Sequence, residues 1–201
     1  MKNYKSYDAT LDNFMEVLDE FGVCVIPNIY TTVECQNIRD SVWNDVKYLH
    51  KNRFDIADKQ TWRNFYDMYP LHGMLVQHFS IGHIQSIWNV RQDPRIGDIF
   101  SKVWNVPKDQ LLSSFDGISI SLPPEETNKG WHQNNSWIHT DQSPTKKGLY
   151  CIQGFVNLYP VNEGDATLAI MEKSHKLHEE FFNHIDYHVD NDWFKLNTTQ
   201  K

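Results

Sequence analysis

Trp137-Ile138-His139-Thr140-Asp141-Gln142-Ser143-Pro144, followed by Leu149-Tyr150-Cys151-Ile152-Gln153-Gly154-Phe155-Val156-Asn157-Leu158, is the stretch on which the fold turns. Both are short apolar and aromatic runs bounded by turn residues, which is how strands read. The flanking segments extend the pattern. Within Leu112–Leu122, Ile118 and Ile120 alternate with Ser119 and Ser121, a period of two, and Ala166–Met171 reads as a further strand. Pro123–Gly130 between them is a polar loop.

Upstream the period changes to that of helices. Leu11, Phe14, Leu18 and Phe21 fall at helical spacing, and Gly22 ends the run. Val23–Ile26 before Pro27 reads as a short buried strand. Thr31 and Glu34 make a capping box that satisfies free N–H groups at the start of the next helix. That helix carries Ile38, Val42, Val46 and Leu49 on one face and ends near His50. Another runs from Pro94 to Trp104 with Ile96, Ile99, Phe100 and Val103 inward, while Lys51–Tyr69 gives no periodic pattern. After Ser174, read as an N-cap, Leu177, Phe181 and Ile185 share a helical face. Helices first and antiparallel strands later predict an α+β chain, mainly β at its core with a helical cover.

Composition bounds the function. The 201 residues hold 19 Lys plus Arg against 26 Asp plus Glu, a net charge of −7. This balance disfavours nucleic acid, whose phosphates call for clustered Lys and Arg. No apolar stretch approaches the roughly 20 residues of a membrane span, so no membrane partner is expected. Cys24, Cys35 and Cys151 are odd in number and widely spaced, as expected of free thiols in a reducing, cytoplasmic compartment. Gly-rich phosphate loops, paired cysteines at zinc spacing, His-Glu-x-x-His and Gly-x-Ser-x-Gly are all missing from the sequence.

Histidine is the abundant chemistry-bearing residue. With 10 His and 17 Asp in 201 residues, about one His-x-Asp triplet arises by chance, and three are present. Residues i and i+2 of a strand project from one face, so His139 and Asp141 present imidazole and carboxylate together. With one more His such a pair completes the facial triad of a non-haem Fe(II) site. The context of an aromatic strand after a Pro/Gly loop singles out His139 and Asp141. His184, Asp186, His188 and Asp190 alternate with apolar residues; as a strand they would offer a second metal site, as a helix end they scatter over the surface. Cys151, Gln153, Phe155 and Asn157 share one face of their strand, either a solvent face or a polar stripe beside a metal.

Ser114-Phe115-Asp116-Gly117-Ile118, Trp137–Pro144, Gln153–Leu158, Asn162-Glu163-Gly164 and Ser174-His175-Lys176-Leu177-His178 together resemble the phytanoyl-CoA dioxygenase family of Fe(II)/2-oxoglutarate oxygenases. The resemblance implies a double-stranded β-helix, a cupin-like jelly roll, with His139 and Asp141 as iron ligands. It implies Phe155 at an aromatic position lining the 2-oxoglutarate pocket, with Gln153 and Asn157 beside it as co-substrate contacts, and an oxidoreductase that hydroxylates an aliphatic C–H bond of a small molecule. His175 occupies a position that does not ligate the iron in that family. The expected layout is a single domain over 1–201: a helical cover over 1–110, the first barrel strands over 111–173 and a helical, polar tail over 174–201. The family's third iron ligand and the Arg that pairs with 2-oxoglutarate have no counterpart here, so the barrel is expected to be incomplete. The alternative expectation is a non-catalytic half-barrel that self-associates or pairs with a partner chain through an open sheet edge.

Overall fold

Local periodicity places the helices where they form. The structure is a computed structural model that describes residues 7–68, 75–127, 138–165, 167–186 and 192–197. Its α-helices are α1 (Phe14–Phe21), α2 (Thr32–Leu49), α3 (Gln85–Arg91), α4 (Pro94–Trp104), α5 (Pro124–Thr127) and α6 (Ser174–Asn183). Its strands are β1 (Leu75–Val76), β2 (Ile118–Ser119), β3 (His139–Thr140) and β4 (Phe194–Lys195). They pair as two antiparallel ladders, β1 with β2 and β3 with β4. The chain divides into two units, 29–133 and a second that joins 1–28 to 134–201. The N-terminal segment therefore groups with the His139 region and not with a contiguous helical cover.

In the unit 29–133 the capping box is present as predicted. Thr31 Oγ1 accepts from the Glu34 amide at 3.2 Å while Glu34 Oε2 accepts from the Thr31 amide at 2.7 Å. The helix that follows buries Val42 and Val46 against Phe54, Phe65, Met68, Val76, Ile81 and Leu122. Residues Lys59–Met68, which carried no readable period, are a 3-10 helix whose Phe65 and Met68 complete this core. His50, at the C-terminus of α2, is buried with neither ring nitrogen hydrogen-bonded among the described residues, and Asp67 Oδ2 stands 4.0 Å from its Nε2. A Cβ on Gly117 would meet the Val76 carbonyl oxygen at 2.4 Å, so the β1–β2 crossing requires glycine there.

Arg95 fastens this unit's entry loop. Its guanidinium donates to both oxygens of Asp93, to Glu34 Oε1 and to the Ile29 carbonyl, and it lies over the Tyr30 ring at 4.3 Å. Hydrogen bonds from Arg95 are the main cause that holds the Asp93 carboxyl down at about 2, and burial is the main cause that pushes the Tyr30 hydroxyl up to about 12.

In the other unit, α1 ends on Gly22 in the left-handed conformation (φ 77°), whose amide donates to the Leu18 carbonyl at 2.8 Å. The strand expected at Val23–Ile26 reduces to a bridge between Asp8 and Val25. The start of α6 is tied to these residues: Lys173 N donates to Phe21 O at 2.8 Å and Tyr7 Oη to Glu172 at 2.7 Å. Lys173, not Ser174, is the N-cap of α6. The helix buries Phe182, leaving Leu177 exposed, because the described partners of α6 lie on its His178–Phe182 side.

The strand expectations shrink in the same way. Of Leu112–Leu122 only Ile118–Ser119 enters a ladder, and of the described residues of the His139 run only His139–Thr140. The described residues of 149–158 and 166–171 enter no ladder; within the first, Ile152, Val156 and Leu158 are half-buried and Cys151, Gln153, Phe155 and Asn157 exposed, but Tyr150 is exposed too. Sequence alternation fixes which face a residue takes, but a ladder also needs a neighbour to accept its hydrogen bonds. The described residues form two open two-stranded ladders and no closed barrel.

The Asp93 carboxyl sits below its unfolded value, near 3.9, so its contribution to stability is complete above about pH 4 and falls away as the pH drops toward 2. Asp93→Asn is expected to lower the urea midpoint at neutral pH, with the difference from wild type shrinking below pH 4 and closing near pH 2. A pH-independent difference would contradict this account of the Arg95 cluster.

Candidate metal centre

The β3–β4 ladder positions the predicted ligands. His139 stands opposite Lys195 and Thr140 opposite Phe194, and the Leu196 amide donates to the Ile138 carbonyl at 3.0 Å. His139 Nε2 lies 3.3 Å from Asp141 Oδ1. Donors bound about 2.1 Å from one octahedral ion at adjacent corners lie about 3 Å apart, so the two groups fit neighbouring positions on one divalent ion. The far oxygen of Asp141 accepts a hydrogen bond from Gln153 Nε2 at 2.8 Å, which leaves Oδ1 turned toward the imidazole. This second contact is the kind that orients a ligating carboxylate.

The turn after Asp141 is built to hold its shape. Gln142 Nε2 donates to the carbonyls of Lys146 and Gly148 at 3.0 and 3.2 Å, and Ser143 and Pro144 are buried. His178 Nε2 lies 2.9 Å from the Gln142 carbonyl, so α6 braces the turn from its buried side. Lys146 pairs with Asp192 at 2.6 Å and lies 4.5 Å over the Tyr150 ring; the hydrogen bond to Asp192 raises its ammonium above the ordinary lysine range.

The structure brings together three of the five predicted site residues: His139, Asp141 and Gln153. Phe155 and Asn157 are exposed. His175 is occupied elsewhere, its Nε2 at 2.9 Å from the Asp19 carbonyl, in keeping with the expectation that it does not ligate. Of the His184–Asp190 run, His184 closes α6 with Nδ1 2.7 Å from the Glu180 carbonyl, Asp186 is exposed, and His188 and Asp190 lie outside the described residues. No group of three or more His, Cys, Asp or Glu converges on one point among the described residues, so His139 and Asp141 stand as a two-donor arrangement. A crevice of about 200 Å³ in the unit 29–133 is lined by Tyr30, Glu34, Asn37, Asn89, Asp93 and Arg95, among others, and its charges are already paired with one another.

One residue of this region escaped the sequence reading. Trp193 lies against the His139 ring, centroids 5.6 Å apart and planes at 39°. Its signal was an aromatic pair, Trp193-Phe194, in an otherwise polar tail. Phe194 turns the other way, onto Phe182 of α6 at 5.0 Å and Phe181 at 6.2 Å.

Comparison with known proteins gives one sequence relative to set beside this geometry. Over 167 residues, 82% of its length, the chain is 37% identical to Ava biosynthesis cluster protein O of Aspergillus versicolor. The match takes in 52% of that protein, so the chain spans about half the length of the curated relative it matches. No family model matches the chain, and no solved structure matches it. Among the described residues no helix is long and apolar enough to cross a membrane, and Cys24, Cys35 and Cys151 are free thiols.

Because Phe182 is buried under Phe194 and braces the ligand strand, Phe182→Ala is expected to cost about 3–5 kcal/mol in urea unfolding. The same variant should raise amide exchange at Leu196; unchanged exchange there would show that α6 does not support β4.

Proposed function

We propose that the chain carries the metal-binding half of an Fe(II)/2-oxoglutarate-dependent dioxygenase, an oxidoreductase that hydroxylates an aliphatic C–H bond of a small molecule. The observation that supports this reading is the His139–Asp141 pair, 3.3 Å apart, with His139 on a laddered strand, Asp141 just past its end and the second Asp141 oxygen held by Gln153. His139 and Asp141 would hold the ion, and Fe(II) with 2-oxoglutarate supplies the oxygen chemistry that side chains lack. Gln153 keeps Asp141 from rotating, so one carboxylate oxygen stays available. The double-stranded β-helix remains part of this proposal, as do the co-substrate roles of Phe155 and Asn157. The relative is, by its name, a biosynthesis cluster protein, which favours a small-molecule substrate.

Release of succinate from 2-oxoglutarate, followed with and without Fe(II) in the full-length protein, tests the reading. Asp141→Ala is expected to abolish the Fe(II)-dependent part, because it leaves the ion one protein donor of the pair. Unchanged release in that variant would overturn the assignment.

A different observation favours a second reading. Leu149 is 59% exposed, Phe155 62%, Leu168 52% and Met171 51%, all within one stretch that joins no ladder among the described residues. Apolar surface of this kind marks an interface, and an unladdered edge templates pairing with another chain. On this reading the chain is a half-barrel that self-associates along 149–171. Sedimentation velocity over a wide concentration range should then show association that Leu168→Lys combined with Ile170→Lys removes. A monomer at every concentration would end it.

A further inference from the structure

Asp141 and Trp193 follow and precede the β3–β4 ladder, each one residue beyond its Thr140–Phe194 pair. Successive strand residues point to opposite faces, so the His139–Lys195 pair falls on one side of the ribbon and the Thr140–Phe194 pair on the other. On the first side the Trp193 indole meets the His139 imidazole, 5.6 Å between centroids. On the second, Phe194 is seated against Phe182, which is 4% exposed. Asp192 is held by Lys146, and Leu196 by its hydrogen bond to Ile138. Trp193 is thus carried by a segment fastened at the residue before it, the residue after it and three residues along.

Resting on the metal-centre reading, we infer that Trp193 is a positioning residue for the ion: it fixes the plane of the His139 imidazole so that Nε2 stays turned to Asp141 Oδ1. An imidazole free to rotate about its side-chain bonds loses that freedom when it ligates, and a ring already held by an aromatic face loses less. Gln153 does the corresponding work on Asp141, so each donor has its own restraint, one from the neighbouring polar stripe and one from the C-terminal strand. Linkage then runs both ways. Because the held ring binds the ion better, the bound ion favours the held ring, and with it the docking of 192–196 on the ligand strand.

Zn(II), which is redox-silent, serves as the probe on the 201-residue chain. Calorimetric titration is expected to show Trp193→Ala binding Zn(II) about tenfold more weakly than wild type, the scale of outer-shell effects on metal sites. Trp193→Phe, which keeps an aromatic face, should recover most of the loss. Zn(II) should slow deuterium uptake at the Leu196 amide in wild type and leave it unchanged in Trp193→Ala. Equal Zn(II) affinity in wild type and Trp193→Ala overturns the positioning role. The ring contact has a readout that needs no metal: the His139 ring protons should be shifted upfield by the indole and move back in Trp193→Ala. No such movement overturns the contact itself. Zn(II) affinity that is unaltered by Asp141→Ala overturns the metal-centre reading instead, a result that the metal-free ring shift keeps separate.

Discussion

A strand is fixed only by the neighbour that takes its hydrogen bonds, and His139 owes its place to a ladder two residues long. Such a ladder is marginal on its own. What keeps it is the burial of Phe194 on Phe182, the Lys146–Asp192 pair beside it, and the contact of His178 with the turn after Asp141. Helix α6, in turn, is fastened at its start by the Phe21 carbonyl and by Tyr7 through Glu172. The dependence runs from the N-terminal segment to α6, from α6 to β4, and from β4 to the imidazole. Residues 150 positions apart in sequence thereby set the orientation of one side chain.

How much of this could be read from sequence follows from the range of each interaction. Helices α1, α2 and α4 were legible because their determinants are local: apolar residues at helical spacing, a Thr31–Glu34 box, Gly22 as a stop, and Pro94 behind Asp93. The 3-10 helix Lys59–Met68 was not legible, since its buried Phe65 and Met68 are called inward by Val46 and Ile81 from distant segments and not by a period of their own. Strands were over-read for the same reason. Alternation in 149–158 is expressed only in part, with Ile152, Val156 and Leu158 half-buried but Tyr150 of the same expected face exposed, and it carries no information about which segment lies alongside.

The site divides along the same line. His139 and Asp141 were legible because they stand two residues apart, so their proximity is set locally. Gln153 was expected to face a co-substrate, and its amide is found on Asp141, a contact across twelve residues that depends on how the two runs approach. Trp193 was invisible as a site residue: two aromatics in a polar tail do not announce which faces a histidine. Only the register, His139 to Lys195 and Thr140 to Phe194, separates the residue that meets the site from the one that meets the helix.

The donor set and the exposed stretch pose one physical problem. A divalent ion on one imidazole and one carboxylate keeps a net positive charge and open positions, and so favours further anionic or imidazole donors. Among the described residues none completes the set, while the apolar side chains of 149–171 stand in solvent on the same unit. Burying that surface stabilises any polypeptide laid along it by roughly 25 cal/mol per Å², and a strand so laid would also meet the backbone groups of an unladdered edge. On the second reading proposed above, one docked segment would cover this apolar face.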